Sequence, residues 1–576
     1  MTTFAHRFPF GATWMGNRRT HFKLWAPGQR HVDLVIEGRS AVGMQFVGDG
    51  WFEADADCLP GASYRYRLES GQLVPDPASR QQAADVHGPS VVVDPATYDW
   101  RHADWRGRPW RETVLYELHV GTYGGFQAVA ADLDRLATLG VTALELMPIS
   151  DFSGARNWGY DGVLPFAPHR AYGTPDELKA LIDAAHARRL MVFLDVVYNH
   201  FGPDGNYLGS YAPQFFRDDV KTPWGAAIDF RQPPVRRFFV ENALYWLMEY
   251  RFDGLRFDAA HAIGDQNWLD EMAGEIRRTV EKGRHVHLVL EHDENDARHL
   301  RRGYDAQWND DAHHALHVLL TGESDGYYGD YAQAPARQLA RCLSEGFAFQ
   351  GEPSAYRGNA PRGRPSADLP PTSFVLFLQN HDQVGNRPFG NRLTAQVSPE
   401  ALRAAATLQL LCPQIPLLFM GEEWQSQTPF LFFTDYQGPL ADAVRNGRRS
   451  EFKRFVSFDG DDIPDPNAIE TFTHSRFTER GDDSFYRQLL ALRQAEIVPH
   501  LAGTRALGAS AIGPTAVVAR WRIGDRRILE IAANLGAEPC EAPTLAGKLV
   551  FSSRFGEPAG GTLPGFCTAV HIGPAA

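Results

Sequence analysis

Acidic and histidine side chains recur at the ends of four short apolar segments of this 576-residue chain. Such a set suits glycoside hydrolysis, because one carboxylic acid must protonate the leaving oxygen while a second carboxylate attacks the anomeric carbon or activates water. Arg256 precedes Asp258 by two residues, so both side chains point to the same side of a strand, where the cation can hold the carboxylate. The segments are DVVYNH (from Asp195), GLRFDAAH (from Gly254), LVLEHD (around Glu291) and FLQNHD (ending at Asp382).

The elements that must position these residues alternate between strands and helices. Thr174 and Glu177 form a possible capping box with Pro175 at the first helical position, and Gly140 is placed to end the preceding helix. Eight strand–helix units fit a closed parallel (β/α)8 barrel, a TIM barrel, better than an open sheet. Active sites of these barrels lie at the carboxyl ends of the strands, so the four acidic segments should meet on one rim. Strands are predicted at residues 113–120, 142–147, 190–197, 254–258, 287–291, 305–308, 373–379 and 416–420.

Shorter strands flank this pattern on both sides. The stretches HFKLWAP, HVDLVIEG and SYRYRLES alternate apolar and polar residues between turns, which predicts an N-terminal β-sandwich. A Trp-rich stretch at residues 99–111 is the expected linker, and alternating strands return at residues 516–521 and 527–534. The predicted division is a sandwich at 1–105, the catalytic barrel with insertions at 106–496 and a small C-terminal β domain at 497–576.

Composition excludes several classes of protein. The chain carries 57 basic and 70 acidic residues, a net charge of −13, which argues against nucleic acid or an anionic membrane as a partner. Its five scattered cysteines lack C-x-x-C spacing and suggest neither a disulfide framework nor a zinc site. No secretory signal and no apolar stretch long enough to span a bilayer are visible. We therefore expect a cytoplasmic enzyme that uses no cofactor and no metal.

The four segments match the signature regions of the α-amylase superfamily of glycoside hydrolases, which the chain resembles over its barrel and in its flanking β domains. The resemblance implies that Asp258 is the nucleophile, Glu291 the general acid and base, and Asp382 the stabiliser of the distorted sugar. Any one of these could alone be a buried ion pair or a capping residue. The resemblance also implies that the same sugar is bound by Tyr160, as a platform beneath it, together with Trp158, His200, Arg256, Asn380 and His381.

Near the end of the third strand, two polar residues are interpreted as structural residues that support the site, namely Asp195 and Asn199. In calcium-dependent amylases an Asn at the position of Asn199 can bind the ion. No carboxylate-rich companion loop accompanies it in this sequence, so calcium is not expected.

A second set of segments indicates a narrower family. Residues 308–323 place His313 and His317 four apart, where they could share a helical face and a metal, but no third ligand follows. The segment instead resembles the maltooligosyltrehalose trehalohydrolases, as do ELHVGTY, NWGYDGV and residues 199–230. This resemblance implies hydrolysis of the α-1,4 bond between a maltooligosaccharide and a terminal trehalose. The maltooligosyl part would be held transiently on Asp258, and the substrate would come from a maltooligosyltrehalose synthase.

Two alternatives stay open at this point. ELHVGT-like strands also occur in glycogen branching enzymes and α-1,6 debranching enzymes of the same superfamily, which share the N-terminal sandwich. From another class, a non-catalytic α-glucan-binding protein could use the same fold. Such a binding protein has no need for Asp258, Glu291 and Asp382 together, and all three are present.

Overall fold

Eight parallel strands form a closed barrel at the centre of the molecule. The structure is a computed structural model that describes residues 2–222, 225–452, 463–554 and 561–575. The last barrel strand pairs with the first and closes the ring. The predicted (β/α)8 fold is therefore confirmed. The strands are β1 (Leu115–Leu118), β2 (Ala143–Leu146), β3 (Met191–Val196), β4 (Gly254–Phe257), β5 (His287–Leu290), β6 (Ala306–Trp308), β7 (Phe374–Leu376) and β8 (Ile415–Phe419).

Helices follow the strands, and their ends obey local sequence signals. Thr174 and Glu177 form the predicted capping box, with Pro175 at the first helical position. Gly140 ends the helix before β2 at a φ of 105°, a left-handed conformation that glycine adopts without a steric penalty. The longer helices are Phe126–Leu139, Pro175–Ala187, Pro233–Met248, Gln266–Thr279, Asp310–Thr321, Pro335–Glu345, Pro399–Leu411, Gly438–Phe452 and Ser484–Leu492, with short ones at Val120–Tyr123, Leu208–Tyr211, His381–Gly385 and Ile469–His474.

The predicted linker closes the amino end of the barrel. Trp105 and Trp110 pack against the apolar side chains that fill the barrel interior, including Phe193. The Trp110 indole N–H donates to the carbonyl of Thr372 at 2.7 Å, just before β7 begins. The Trp105 indole N–H donates to the Asp253 carboxylate at 2.8 Å, just before β4. These rings therefore cover the amino end of the barrel, opposite the carboxyl ends of the strands.

The N-terminal region folds as two facing antiparallel sheets. Phe22 of one sheet meets Tyr64 of the other edge-on, with ring centroids 4.9 Å apart, and both side chains are buried. The predicted sandwich is confirmed. One sheet has the order Gly11–Gly16, Arg19–Trp25, Trp51–Asp57, Gln45–Gly48, and the other has Val42–Gly43, Asp33–Ile36, Ser63–Arg67, Leu73–Val74, with Ser90–Val91 beside Ser63–Arg67.

The C-terminal region is a five-stranded antiparallel sheet that packs on the barrel helices. The Trp521 indole N–H donates to the carbonyl of Leu343, and the Thr568 hydroxyl donates to the carbonyl of Ala404. The predicted small β domain is therefore present, while its boundary at residue 497 stays a prediction. The strand order is Arg505–Ala511, Ala516–Ile523, Arg527–Asn534, Cys567–Pro574, Lys548–Ser552, and Cys540–Glu541 pairs separately with Thr562–Leu563.

Within the part of the chain that the structure describes, no helix combines the length and the apolar character needed to cross a membrane.

Candidate active site

A cavity of about 520 Å³ opens at the carboxyl ends of the barrel strands. Asp258 directly follows β4, Glu291 directly follows β5, and Asp382 lies in the short helix after β7. All three carboxylates line this cavity. His200, from the remaining segment singled out in the sequence, lines it as well, so all four segments converge on one site, as the barrel topology requires.

Arg256 contacts the carboxylates of both Asp258 and Glu291 from inside the barrel. Its side chain is fully buried in the barrel, and its guanidinium lies 4.2 Å from the ring centroid of Trp308. Nη1 donates to Asp258 Oδ1 at 2.9 Å and to Asp195 Oδ2 at 2.6 Å. Nη2 forms an ion pair with Glu291 Oε2 at 2.7 Å. Burial alone would lower the pKa of Arg256, but the surrounding carboxylates raise it well above its usual value, so one permanent cation orients both acids.

Backbone and amide donors complete the setting of Asp258. Asn199 Nδ2 donates to Asp258 Oδ2 at 2.9 Å, so each oxygen of the carboxylate has its own donor. The next residue, Ala259, has a φ of 38°, a left-handed conformation that non-glycine residues seldom adopt. In this conformation the Ala259 N–H donates to Glu291 Oε2 at 2.8 Å. A single tight turn thus ties the loop of one carboxylate to the side chain of the other.

Asp382 lies in the first turn of the short helix His381–Gly385. The Asn380 side chain accepts from the Asp382 backbone N–H at 2.9 Å and so caps the short helix that carries His381 and Asp382. Burial raises the pKa of Asp382, Glu291 raises it further, and His381 opposes the shift. Burial alone would lower the pKa of His381, but the carboxylates of Asp382 and Glu117 raise it to about 9. The ring is therefore an imidazolium at neutral pH.

Aromatic rings form the floor of the cavity beside these acids. The Tyr160 ring stacks on His381 with centroids 5.0 Å apart, and its hydroxyl donates to Asp195 Oδ2 at 2.7 Å. Trp158 packs edge-on against His381 at 5.6 Å, while its indole N–H donates to the carbonyl of Leu431. Flat rings held rigidly in this way present apolar faces to which a pyranose ring can bind.

The structure places most of the predicted site residues on the cavity wall. Two predicted residues, Arg256 and Asn380, are buried behind that wall and hold the residues in front of them. Their direct contact with a sugar stays a prediction, as do the individual catalytic and binding roles of the others. The predicted residues on the wall are Trp158, Tyr160, His200, Asp258, Glu291, His381 and Asp382.

The opposite wall of the cavity contains residues to which the sequence analysis assigned no role. Asp310 and His314 lie one helical turn apart in the Asp310–Thr321 helix and face the cavity. Tyr327, Tyr356 and Arg357 line it beside them. The sequence did contain a signal for Asp310 and His314, because both lie in the 308–323 segment that was singled out as a family marker. The other three follow in a long excursion between β6 and β7 that no pattern in a single sequence identifies.

The metal interpretation of the same segment gains no support. His317 Nε2 lies 2.7 Å from Glu323 Oε2, and His313 stacks on Phe377 with ring centroids 5.4 Å apart. Over residues 2–222, 225–452, 463–554 and 561–575, no group of three or more His, Cys, Asp or Glu is arranged to hold a metal ion. Asn199, considered for calcium, donates its Nδ2–H to Asp258. Pro223 and Trp224, which belong to the quoted segment 199–230, lie outside the described residues.

Comparisons with known proteins identify the family of the chain. Residues 96–224 match the alpha amylase catalytic domain, and residues 504–570 match a domain of unknown function, DUF3459. A malto-oligosyltrehalose trehalohydrolase of Deinococcus radiodurans is 43% identical, over 86% of this chain and 84% of that protein. One of Arthrobacter ramosus is 40% identical, over 83% and 87%. A crystal structure assigned to an alpha amylase of Salmonella typhimurium has a TM-score of 0.92 and 44% identity, over 98% of this chain and 99% of that one. The chain therefore belongs to the malto-oligosyltrehalose trehalohydrolase family of the α-amylase superfamily and is a glycosidase.

Proposed function

We propose that this enzyme cleaves the α-1,4 bond next to the terminal trehalose of maltooligosyltrehalose and retains the anomeric configuration. The observation that carries the proposal is the Arg256 guanidinium, which contacts Asp258 and Glu291 at once at the mouth of the barrel. Two carboxylates that share one cation lie close together, which suits a nucleophile working with an acid on the same bond. Family membership supplies the substrate, since the relatives carry that activity in their names.

The reaction follows from the positions of these groups. Asp258 attacks the anomeric carbon while Glu291 donates its proton to the glycosidic oxygen, so the C–O bond breaks and trehalose leaves. Glu291, now a carboxylate, takes a proton from water, which attacks the anomeric carbon and releases the maltooligosaccharide from Asp258. Asp382 and the charged His381 bind the hydroxyl groups of the sugar that becomes distorted. Tyr160 supports the same sugar from its flat side.

Retention is directly testable. We expect the α-anomer of the maltooligosaccharide to form first, because an attack by Asp258 followed by an attack by water inverts the anomeric carbon twice. Proton NMR during the first minutes of the reaction measures the α and β anomers before mutarotation mixes them. The carboxyl groups of Asp258 and Glu291 should lie about 5–5.5 Å apart, which X-ray crystallography of the enzyme measures. A β-anomer formed first would contradict this mechanism.

The substrate preference is expected to come from the wall opposite Tyr160. Tyr160 belongs to the loop after β2, whereas Asp310, His314 and Tyr327 follow β6 on the opposite half of the rim. Asp310 lines the cavity, and its side chain has no hydrogen-bond partner within the described residues. Burial, and next the charge of Glu291, raise the pKa of Asp310 well above its usual value, so it presents a neutral carboxylic acid to a ligand. The α,α-1,1 bond of trehalose turns its second glucose away from the path of a linear glucan. A polar and aromatic wall on that side can bind the displaced ring.

We therefore expect kcat/KM for maltooligosyltrehalose to exceed that for a linear maltooligosaccharide of equal length by about tenfold or more, or at least about 1.4 kcal/mol of transition-state binding. Both substrates compete in one reaction, and released trehalose and glucose are followed by chromatography. Asp310→Asn should reduce the preference while the linear substrate is hydrolysed at a similar rate. Equal consumption of both substrates by the unaltered enzyme would indicate a general amylase. Release of branches from a branched dextrin, with no trehalose, would favour the α-1,6 debranching alternative.

We further propose that a maltooligosyltrehalose synthase supplies the substrate and that the enzyme works in the cytoplasm without nucleic-acid or membrane partners. Chemistry supports the first part, because the reducing-end α-1,4 bond of a glucan must be converted into an α,α-1,1 bond before this substrate exists. The net charge of −13 supports the absence of polyanionic partners.

A further inference from the structure

Glu117, in the ELHVGTY segment of β1, holds His381 from behind. Both side chains are buried in the barrel. Glu117 Oε1 accepts from His381 Nδ1 at 2.5 Å, and Glu117 Oε2 accepts from the backbone N–H of His381 at 3.0 Å. One carboxylate therefore binds both the ring and the backbone of the same histidine, which leaves the ring little freedom to rotate.

The neighbouring strand carries a second buried glutamate, which does not contact His381. Glu145 on β2 is paired in register with Glu117 on β1. Neither oxygen of Glu145 has a hydrogen-bond partner within the described residues. Burial, and next the charge of Glu117, raise the pKa of Glu145 well above its usual value, so Glu145 is neutral. The negative charge of the two-glutamate pair therefore lies on Glu117, beside His381.

We infer that Glu117 is a positioning residue: it fixes Nδ1 of His381 as the bonded, protonated nitrogen and so directs Nε2–H into the cavity, towards Asp382 and the sugar. His381 Nε2 lies 3.4 Å from Asp382 Oδ1, which agrees with this orientation. The inference rests on the proposed function in one respect, namely that the sugar binds at Asp382 and His381. Glu117 itself does not line the cavity among the described residues and acts only through the histidine.

The charge of His381 depends on its whole surroundings. Burial alone would favour the neutral ring, whereas the carboxylates of Asp382 and Glu117 raise its pKa to about 9. The ring is thus charged below about pH 9 and neutral above it. Removal of the Glu117 charge must lower this pKa, since an opposite charge within hydrogen-bond distance favours the charged form. Among the described residues, the titratable or charged groups that interact with His381 include Glu117, His119, Glu145, Tyr160, Arg256 and Asp382.

The test compares Glu117→Gln with Glu145→Gln, two identical changes at paired positions of which only one contacts His381. We expect the His381 ring, followed by 15N NMR of enzyme labelled at histidine, to lose its proton near pH 9 in the unaltered enzyme. In Glu117→Gln this titration should move to lower pH by about 1–3 pH units. In Glu145→Gln it should stay in place, because a neutral carboxylic acid is replaced by a neutral amide. An unmoved titration in Glu117→Gln, or equal shifts in both variants, would overturn the inference.

A second readout needs neither substrate nor variant at Glu117. In proton NMR of the unaltered enzyme in water, the Nδ1–H held by the Glu117 carboxylate should give a far-downfield resonance that persists to about pH 9. His381→Asn identifies it by its loss. If the resonance is absent, or titrates near the ordinary histidine pKa of about 6.5, the inference is wrong whichever bond the enzyme cleaves. A correct resonance and a shifted His381 titration, combined with products that lack trehalose, would instead overturn the proposed substrate and leave the role of Glu117 in place.

Discussion

Asp258→Asn is expected to lower kcat by about 10⁴-fold or more, because an amide cannot attack the anomeric carbon in place of a carboxylate. Steady-state turnover of maltooligosyltrehalose measures the loss. Both oxygens of Asp258 accept hydrogen bonds, one from Arg256 and one from Asn199. The new NH2 group must therefore face a donor, which costs about 1–3 kcal/mol of unfolding free energy.

The control for this variant is its thermal stability. Circular dichroism should show an unchanged spectrum and a Tm lowered by only a few degrees, so that lost activity is not lost folding. Retention of more than about a hundredth of wild-type turnover by a folded Asp258→Asn protein would remove Asp258 from the role of nucleophile.

Glu291→Gln is expected to abolish proton donation. The resulting loss of activity should therefore depend strongly on the leaving group of the substrate. On an unactivated maltooligosyltrehalose, kcat should fall by about 10²–10⁴-fold, the usual contribution of general acid–base catalysis. A glycoside with a good leaving group needs little acid assistance, so the first step of its cleavage should suffer far less. Comparison of the two substrates with the variant and the unaltered enzyme separates acid catalysis from a general loss of the site.

The geometry around Glu291 predicts that this variant folds normally. Oε2 receives the Ala259 N–H and the Arg256 guanidinium, so the amide oxygen of Gln can occupy that place. Its NH2 group then replaces Oε1, for which the structure shows no hydrogen bond within the described residues. An equal loss on both substrates, or near wild-type turnover on the unactivated one, would contradict the assignment of Glu291 as the acid.

The barrel and its acidic rim were predictable because they depend on local patterns. Each barrel strand is a short, largely apolar run, and Asp258 and Glu291 were identified as the acidic residues that directly follow two of these runs. The pairing of Arg256 with Asp258 followed from the two-residue period of a strand. Capping signals such as Thr174 with Glu177 identified a helix start in the same manner.

What could not be predicted depends on contacts between distant parts of the chain. Glu117 and His381 are 264 residues apart, and their bond exists only because β1 and the turn after β7 face the same interior. The sequence around a glutamate in an apolar strand does not indicate which distant side chain that glutamate will contact. The capping of the His381–Gly385 helix by Asn380 was likewise not predicted. Asp310 faces the cavity only because its helix starts at the rim.

During synthesis of the protein in the cell, the barrel cannot close between β1 and β8 until β8 has been made. Leu115 pairs with Leu417, so the first strand has no final partner until the ribosome has made roughly three hundred further residues. At about 5–20 residues per second, that interval is on the order of 15–60 s. Throughout it, β1 presents an unpaired edge, the type of surface on which chains aggregate. The Trp-rich linker is synthesised before β1 and is thus available to cover the amino end of the growing sheet.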